Sequence, residues 1–387
     1  MAAYDARAVS VPRRGKGTHL ALLVDSPSRR AHGAAASRLA LGLVEVGAGH
    51  VELVTYSDDP PPSWLPPEVS VHRLGVRRAS RVLMPLVHHL RDTRPDVLVT
   101  RMVHLNLVGI AAAWLARRSS GWTGRLVLVQ DHPIRLSHAS DPHDNKWAAK
   151  LLYRFADGVV CPCPEVRDDI IRWAGLHPDS VAVVPNAIPA PDRIPAPPHP
   201  WLADGGPPVF VNTSNMTPWK RLDLLLEAFD TVRRRHDARL LVVGQGPGAE
   251  EAAHQVARLG LEDSVQLVGW VDDPLAFAAH AWAFVLPSDE EGFGQVLTEA
   301  MSVGCPVITT DAQGGGPRFV TDDGRYGVLV PRGDAEALAE AMAAMLRPDT
   351  RSRYSGLGLE RVQAFSPTAC ARSLTAFLET RGELAPR

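Results

Sequence analysis

Short apolar runs alternate with amphipathic stretches along most of the chain. This rhythm predicts strands buried on both faces, each followed by a helix. It starts with a strand at Leu20–Val24, a helix over Ala34–Val46 and a strand at Val51–Thr55, then a proline-rich loop at Pro60–Pro62. Strands at Val97–Thr100 and Leu126–Gln130 enclose a helix over Leu105–Arg117. A helix over Lys150–Ala156 leads into a strand ending at Cys161, a helix over Glu165–Trp173 and a strand at Val181–Val184. Between Pro185 and Pro208 there are nine prolines, the composition of a linker.

The alternation then restarts. Strands are predicted at Val209–Thr213, Arg239–Val243 and Val265–Val268, with helices over Leu222–Arg235 and Glu250–Leu259. Helices over Ala335–Leu346 and near Pro367–Thr380 close the chain. The pattern implies an α/β protein of two doubly wound parallel-sheet domains, at residues 18–190 and 209–365. A flexible tail (1–17), the Pro-rich linker (191–208) and a C-terminal helical segment (366–387) complete the division. Ligands of such sheets gather at the carboxyl ends of the strands.

One stretch concentrates the chemistry. A strand at Ala283–Leu286 runs into an acidic turn, a helix, a stop at Gly304 and a second buried strand ending at Thr310. Gly292 and Gly294 flank Phe293 where the helix opens, so backbone N–H groups can approach a ligand there. Glu291 stands at the mouth and Glu299 two turns in. A helical phase of about 100° per residue would turn both carboxylates toward one crevice.

Composition narrows the classes. A chain of 387 residues with 45% hydrophobic and 22% charged residues is that of a globular protein larger than one core. A net charge of −2 gives no reason to expect a nucleic-acid partner. The four cysteines, Cys161, Cys163, Cys305 and Cys370, lack zinc-site spacing and read as free thiols of a reducing compartment. The longest apolar run, Leu105–Ala116, is too short to span a bilayer, so a cytoplasmic protein is expected. Leu74–Asp92 mixes Arg77, Arg78, Arg81 and Arg91 with Leu83, Met84, Leu86 and Val87. It reads as a surface helix packing one face inward, with peripheral contact to anionic lipid less favoured.

The run from Glu291 to Glu299, followed by Ala-Met-Ser-Val-Gly-Cys-Pro-Val-Ile, resembles the Glu-x7-Glu motif of the retaining family-4 glycosyltransferases. That family has the GT-B architecture, two Rossmann-like domains facing across a cleft, with the last helix usually crossing back to the first domain. The likeness runs from about residue 19 to 380 and is strongest over 205–335. It implies transfer of a sugar from a nucleoside-diphosphate sugar to a small-molecule or saccharide acceptor with retained configuration. The diphosphate carries uridine or guanosine, a choice the sequence leaves open, as it does the oligomeric state. No cofactor is implied, and no metal is needed for transfer in this family. The rich alanine, arginine and proline usage suggests a GC-rich bacterial source, where natural-product glycosylation is common.

By the same resemblance, Glu299 would hold the ribose hydroxyls, while Glu291 and the Gly292, Phe293 and Gly294 backbone would meet the sugar. Lys220 would stabilise the diphosphate. A lysine before a helix is otherwise an ordinary surface charge, but a departing diphosphate does need fixed cations. Asn215 stands where the family has arginine, and Arg221 where glycine is common; either Asn215 hydrogen-bonds the diphosphate, or Arg221 or Arg318 supplies the missing cation. Gly244-Gln-Gly246-Pro resembles the family's nucleotide loop, although a plain tight turn explains it too. His132 would face the donor sugar from the first domain, with Asp131 as a second polar contact. Ser26–Gly33, including Arg29, Arg30, His32 and Gly33, occupies the position of the family's acceptor loop. Asp272-Asp273 and Asp322-Asp323 read as solvated turns. Two other functions fit the same cleft: a GT-B nucleotide-sugar epimerase, and a non-catalytic nucleotide-sugar binding protein, the latter supported by Asn215.

Overall fold

The computed structural model describes residues 18–28, 30–136, 146–188, 196–203 and 205–382. The tail at 1–17, Arg29 and residues 191–195 and 204 of the linker lie outside the described residues, as does the side chain of Arg30. In the first half, strands β1 (His19–Val24), β2 (His50–Thr55), β3 (Val69–Arg73), β4 (Val97–Arg101), β5 (Arg125–Val129), β6 (Gly158–Cys161) and β7 (Val181–Val183) form one sheet. Its helices are α1 (Arg30–Glu45), α2 (Leu83–Thr93), α3 (Val103–Ser120), α4 (Lys146–Leu152) and α5 (Pro164–Ala174).

In the second half the strands are β8 (Val209–Thr213), β9 (Arg239–Val243), β10 (Val265–Gly269), β11 (Ala283–Leu286), β12 (Val307–Thr310) and β13 (Val328–Val330). Helices α6 (Leu222–Arg233), α7 (Ala249–Leu259), α8 (Pro274–His280), α9 (Gln295–Ser302) and α10 (Gly316–Thr321) connect them. Three more follow: α11 (Ala335–Met345), α12 (Pro348–Arg361) and α13 (Pro367–Gly382).

Both sheets are parallel and share one plan, β3-β2-β1-β4-β5-β6-β7 and β10-β9-β8-β11-β12-β13. The strand order reverses beside β1 and beside β8, and a crevice opens at the carboxyl ends at such a switch point. Successive residues of one strand feed opposite cores. Ala21 and Leu23 pack with the α2 and α3 side chains, while Leu20 and Leu22 pack under α1. On β8, Phe210 points into one core and Val209 and Val211 into the other.

The last helix belongs spatially to the first half. Ala371, Leu374, Phe377 and Leu378 of α13 pack with Ala40 and Leu43 of α1. The crossing is close: a methyl group on Gly42 would sit 2.0 Å from the Pro367 carbonyl oxygen. Among the described residues, no helix is long and apolar enough to cross a membrane.

Several elements differ from the sequence reading. Leu74–Asp92 is not one helix, because Gly75 takes φ +68° and Arg78 is extended. A 3-10 turn at Ala79–Arg81 precedes α2, whose Leu86, Val87, His89 and Leu90 face inward. Strand β3 had no clear apolar run, and the short elements α8, α10 and β13 lacked the length that makes periodicity legible.

The carboxyl ends of the first sheet are tied by a buried ion pair. Arg101, ending β4, donates from Nε and Nη2 to the Asp131 carboxylate at 2.9 and 2.5 Å, and from Nη2 to Asn186 Oδ1 at 2.7 Å. Burial pushes the Asp131 carboxyl up, yet the Arg101 guanidinium and His32 together hold it well below the usual carboxylate range. Its folded pKa is thus depressed, so its stabilisation is complete above the unfolded value of about 3.9 and is lost as the pH falls below it. Asp131→Asn leaves a buried guanidinium without its counter-charge and is expected to destabilise the fold by about 3–5 kcal/mol at neutral pH. Denaturant unfolding at several pH values checks this, with the difference shrinking on acidification.

Candidate active site

The turn after β11 carries the first group. Glu291 is buried, and its Oε1 accepts from Ser288 Oγ at 3.0 Å and from Lys220 Nζ in a short ion pair. Lys220 closes a 3-10 turn, Pro218–Lys220, that follows β8 across the switch point. Strand order therefore brings together two residues 71 positions apart in the chain.

Gly294 takes φ +77° and caps α9, which begins only at Gln295. The expected helical phase between Glu291 and Glu299 does not hold, because the left-handed glycine resets the chain between them. Glu299 instead faces the first half. Its Oε1 accepts from Arg38 Nη1 of α1 at 3.1 Å and from Gln295 Nε2 at 2.9 Å. Arg38 has no signal in the sequence, since it sits in an alanine-rich helix 261 residues away. The Phe293 side chain is packed inside, edge to face with Phe365 at 5.5 Å, so a donor contact is left to its backbone.

Backbones of the two halves meet directly at Gly292. A methyl group there would sit 2.0 Å from the Asp131 carbonyl oxygen and 2.8 Å from His132 Nδ1. His132 is open to solvent at this junction but walled by protein. Burial and the neighbouring His32 charge lower its pKa, favouring the neutral imidazole, while Asp131 and Glu291 act weakly the other way. Cys163 reinforces the junction, its Sγ donating to the carbonyls of Gly292 and Gly314 at 3.2 Å each. Asp131 is committed to Arg101 and, at 3.4 Å, to His32 Nδ1.

His32 and Gly33 lie in the first turn of α1, not in a loop as expected. Gly33 is required by packing, since a methyl group would sit 1.9 Å from the Ser26 carbonyl oxygen. His32 meets His132 edge to face at 6.3 Å. The contribution suggested for Arg29 and Arg30 lies outside the described residues.

Around the end of β8, Asn215 is exposed and its Oδ1 accepts from Thr217 Oγ1 at 3.1 Å. Gly244 and Gly246 press against this loop. Methyl groups on them would sit 2.0 Å from the Ser214 and 1.7 Å from the Asn215 carbonyl oxygens. Arg221 has φ +49°, which accounts physically for a glycine preference at that position. Its guanidinium is held by Asp223 and Asp289. Arg318 is likewise paired, with Asp311 and Asp323. Neither arginine is an uncommitted cation. Asp273 caps α8, accepting from Ala276 N at 3.3 Å. Among the described residues, the His/Glu group whose ligand atoms converge is Glu52, His72 and His89, away from this junction.

Comparison with known proteins agrees with this architecture. A glycosyl transferase 4-like domain matches residues 31–187, and glycosyl transferases group 1 matches residues 207–348. The phosphatidyl-myo-inositol mannosyltransferase of Mycobacterium leprae is 34% identical over 241 residues, 60% of this chain and 60% of its own length. The lipopolysaccharide core biosynthesis glycosyltransferase LpsE of Rhizobium meliloti is 27% identical over 72% of this chain and 75% of its own. Sucrose-phosphate synthase from Thermosynechococcus elongatus superposes with a TM-score of 0.74 at 21% identity, over 95% of this chain and all of the other. HepE of Anabaena, solved with UDP and glucose, gives a TM-score of 0.72 at 21% identity over 94% of this chain and all of its own. The chain thus carries a glycosyl transferase 4-like domain followed by a glycosyl transferases group 1 domain, on the two-domain GT-B fold.

Proposed function

We propose that this chain is a retaining glycosyltransferase that moves a sugar from a nucleoside-diphosphate sugar to a hydroxyl of a saccharide or small-molecule acceptor. The observation that carries the reading is the meeting of Glu291, Lys220 and His132 at the junction of the two sheets. Donor binding falls to the second half, where Lys220 meets Glu291 after β11 and the loop after β9 packs on Ser214 and Asn215. Acceptor selection falls to the first half.

Departure of a nucleoside diphosphate places growing negative charge on a phosphate oxygen. Lys220 is placed to meet it, exchanging its ion pair with Glu291 for the phosphate. Glu291, released, accepts hydrogen bonds from sugar hydroxyls. His132, neutral, donates one from the opposite wall. Glu299 lies on the second turn of α9 and binds the ribose hydroxyls, with Arg38 fixing its carboxylate. The leaving phosphate oxygen takes the acceptor proton, so attack comes from the face the diphosphate leaves. Relatives named for phosphatidyl-myo-inositol and lipopolysaccharide core support a sugar-bearing or polyol acceptor.

A thermal-shift panel of uridine and guanosine diphosphate sugars identifies the donor, because binding raises stability by RT ln(1 + [L]/Kd). With that donor, Lys220→Ala is expected to slow transfer by about 10²–10³-fold with a smaller change in donor affinity, as for loss of one charge-stabilising group. Glu299→Ala is expected mainly to weaken nucleotide binding. Native kinetics in both variants would discard these roles. A new sugar isomer from donor alone would mark an epimerase instead. Binding without turnover across a broad acceptor panel would mark a binding protein.

The exposed Asn215 leaves room for the missing guanidinium. Asn215→Arg is expected to tighten nucleoside diphosphate binding by roughly 1.5–3 kcal/mol, the worth of a charge-assisted hydrogen bond. Calorimetry decides, and unchanged or weaker binding rejects the assignment of this loop to the diphosphate.

A further inference from the structure

On the first sheet, one buried carboxylate collects four imidazoles. Glu52 Oε2 lies 3.0 Å from His89 Nε2 and 3.3 Å from His19 Nε2. Ligand atoms of Glu52, His72 and His89 all come within 4.8 Å of one another. His50 stands beside them, its ring 4.6 Å from that of His19, and the rings of His72 and His89 are 4.3 Å apart.

Register explains the gathering. Residues opposite each other in a parallel pair share a face, as do residues two apart along a strand. His19 pairs with His50, Glu52 with Ser70, and Val54 with His72. All therefore project to the face that α2 covers, and α2 adds His89. His19 and His50 open their strands, Glu52 lies midway along β2, and His72 stands one residue from the end of β3, so the group runs along this outer part of the sheet.

We propose that Glu52, His72 and His89, with His19 in reach as a fourth ligand, bind a divalent transition metal of the zinc type. Imidazole nitrogens with one carboxylate are a borderline-soft set suited to zinc. Zn–N bonds of about 2.0–2.1 Å in a tetrahedron separate neighbouring ligand atoms by about 3.4 Å. The Glu52 oxygen already stands near that spacing from two imidazoles. His89 is almost wholly buried, and its Nε2 faces the Glu52 carboxylate, so packing already holds the ring in place as a ligand.

A metal here would staple β1, β2 and β3 to α2. The role is structural and independent of the proposed transfer chemistry.

The full-length chain, stripped with chelator and dialysed against zinc chloride, tests the site by counting bound metal. Cobalt(II) serves as a spectroscopic probe of tetrahedral coordination. One equivalent of zinc is expected, with a rise in Tm. His72→Asn removes the least buried ligand and should leave the fold intact by circular dichroism. It is expected to weaken binding at least about tenfold, the lower bound for loss of even an outer-sphere partner. Glu52→Gln should do the same where it folds. Less than stoichiometric uptake by the native chain, or native affinity in His72→Asn, overturns the proposal.

Discussion

Two backbones pressed together without a side chain between them set the geometry of this protein. Gly292 of the second half lies against the carbonyl of Asp131, and any β-carbon there would push the halves apart. The same rule repeats around it. Methyl groups on Gly314 and Gly316 would sit 2.4 Å from the Glu291 carbonyl oxygen and 2.5 Å from the Phe293 Cα. Overpacking of this kind typically costs 1–3 kcal/mol where it can be relieved. Here relief would move His132 away from Glu291, so the glycines act on the spacing of the candidate site more than on the cores.

The charges at that junction are arranged in closed pairs. Lys220 is matched by Glu291, Arg101 by Asp131, Glu299 by Arg38, and Arg221 by Asp223 and Asp289. Taking an ion out of water is expensive, and pairing is what makes a half-buried lysine tolerable. Within the proposed reaction, a diphosphate enters by replacing a carboxylate as the partner of Lys220, not by filling an uncompensated positive hole. Arg221 shows the opposite economy: a left-handed backbone costs a non-glycine residue roughly 1–2 kcal/mol, and the guanidinium recovers some of it against two carboxylates.

The parallel sheets were legible in the sequence because strands buried on both faces read as unbroken apolar runs, as at Leu20–Val24 and, over its first three residues, at Val209–Val211. Edge strand β3, Val-Ser-Val-His-Arg, alternates with polar residues and was missed for that reason. The turn residues Lys220, Glu291 and His132 were legible through motif spacing and the family likeness. Their partners were not. The Arg38–Glu299 pair spans 261 positions, and nothing local in an alanine-rich helix announces it. The histidines around Glu52 stayed hidden because their convergence is a matter of register between strands.

The protonation states at the junction bear on how a sugar could be transferred there. Asp131 is held ionised, but both of its oxygens are taken by Arg101, with His32 beside them, so it is poorly placed to accept a proton. Glu291 is occupied by Lys220 and Ser288. His132 tends to the neutral form and brings one donor and one acceptor, enough to orient a hydroxyl but without a full charge. A mechanism needing a dedicated carboxylate base would have to break a buried pair first, which costs several kcal/mol before any chemistry. Letting the departing phosphate oxygen take the acceptor proton avoids that cost and uses Lys220 for the charge that remains. The paired carboxylates thus favour proton transfer to the leaving group over a protein base within the proposed reaction.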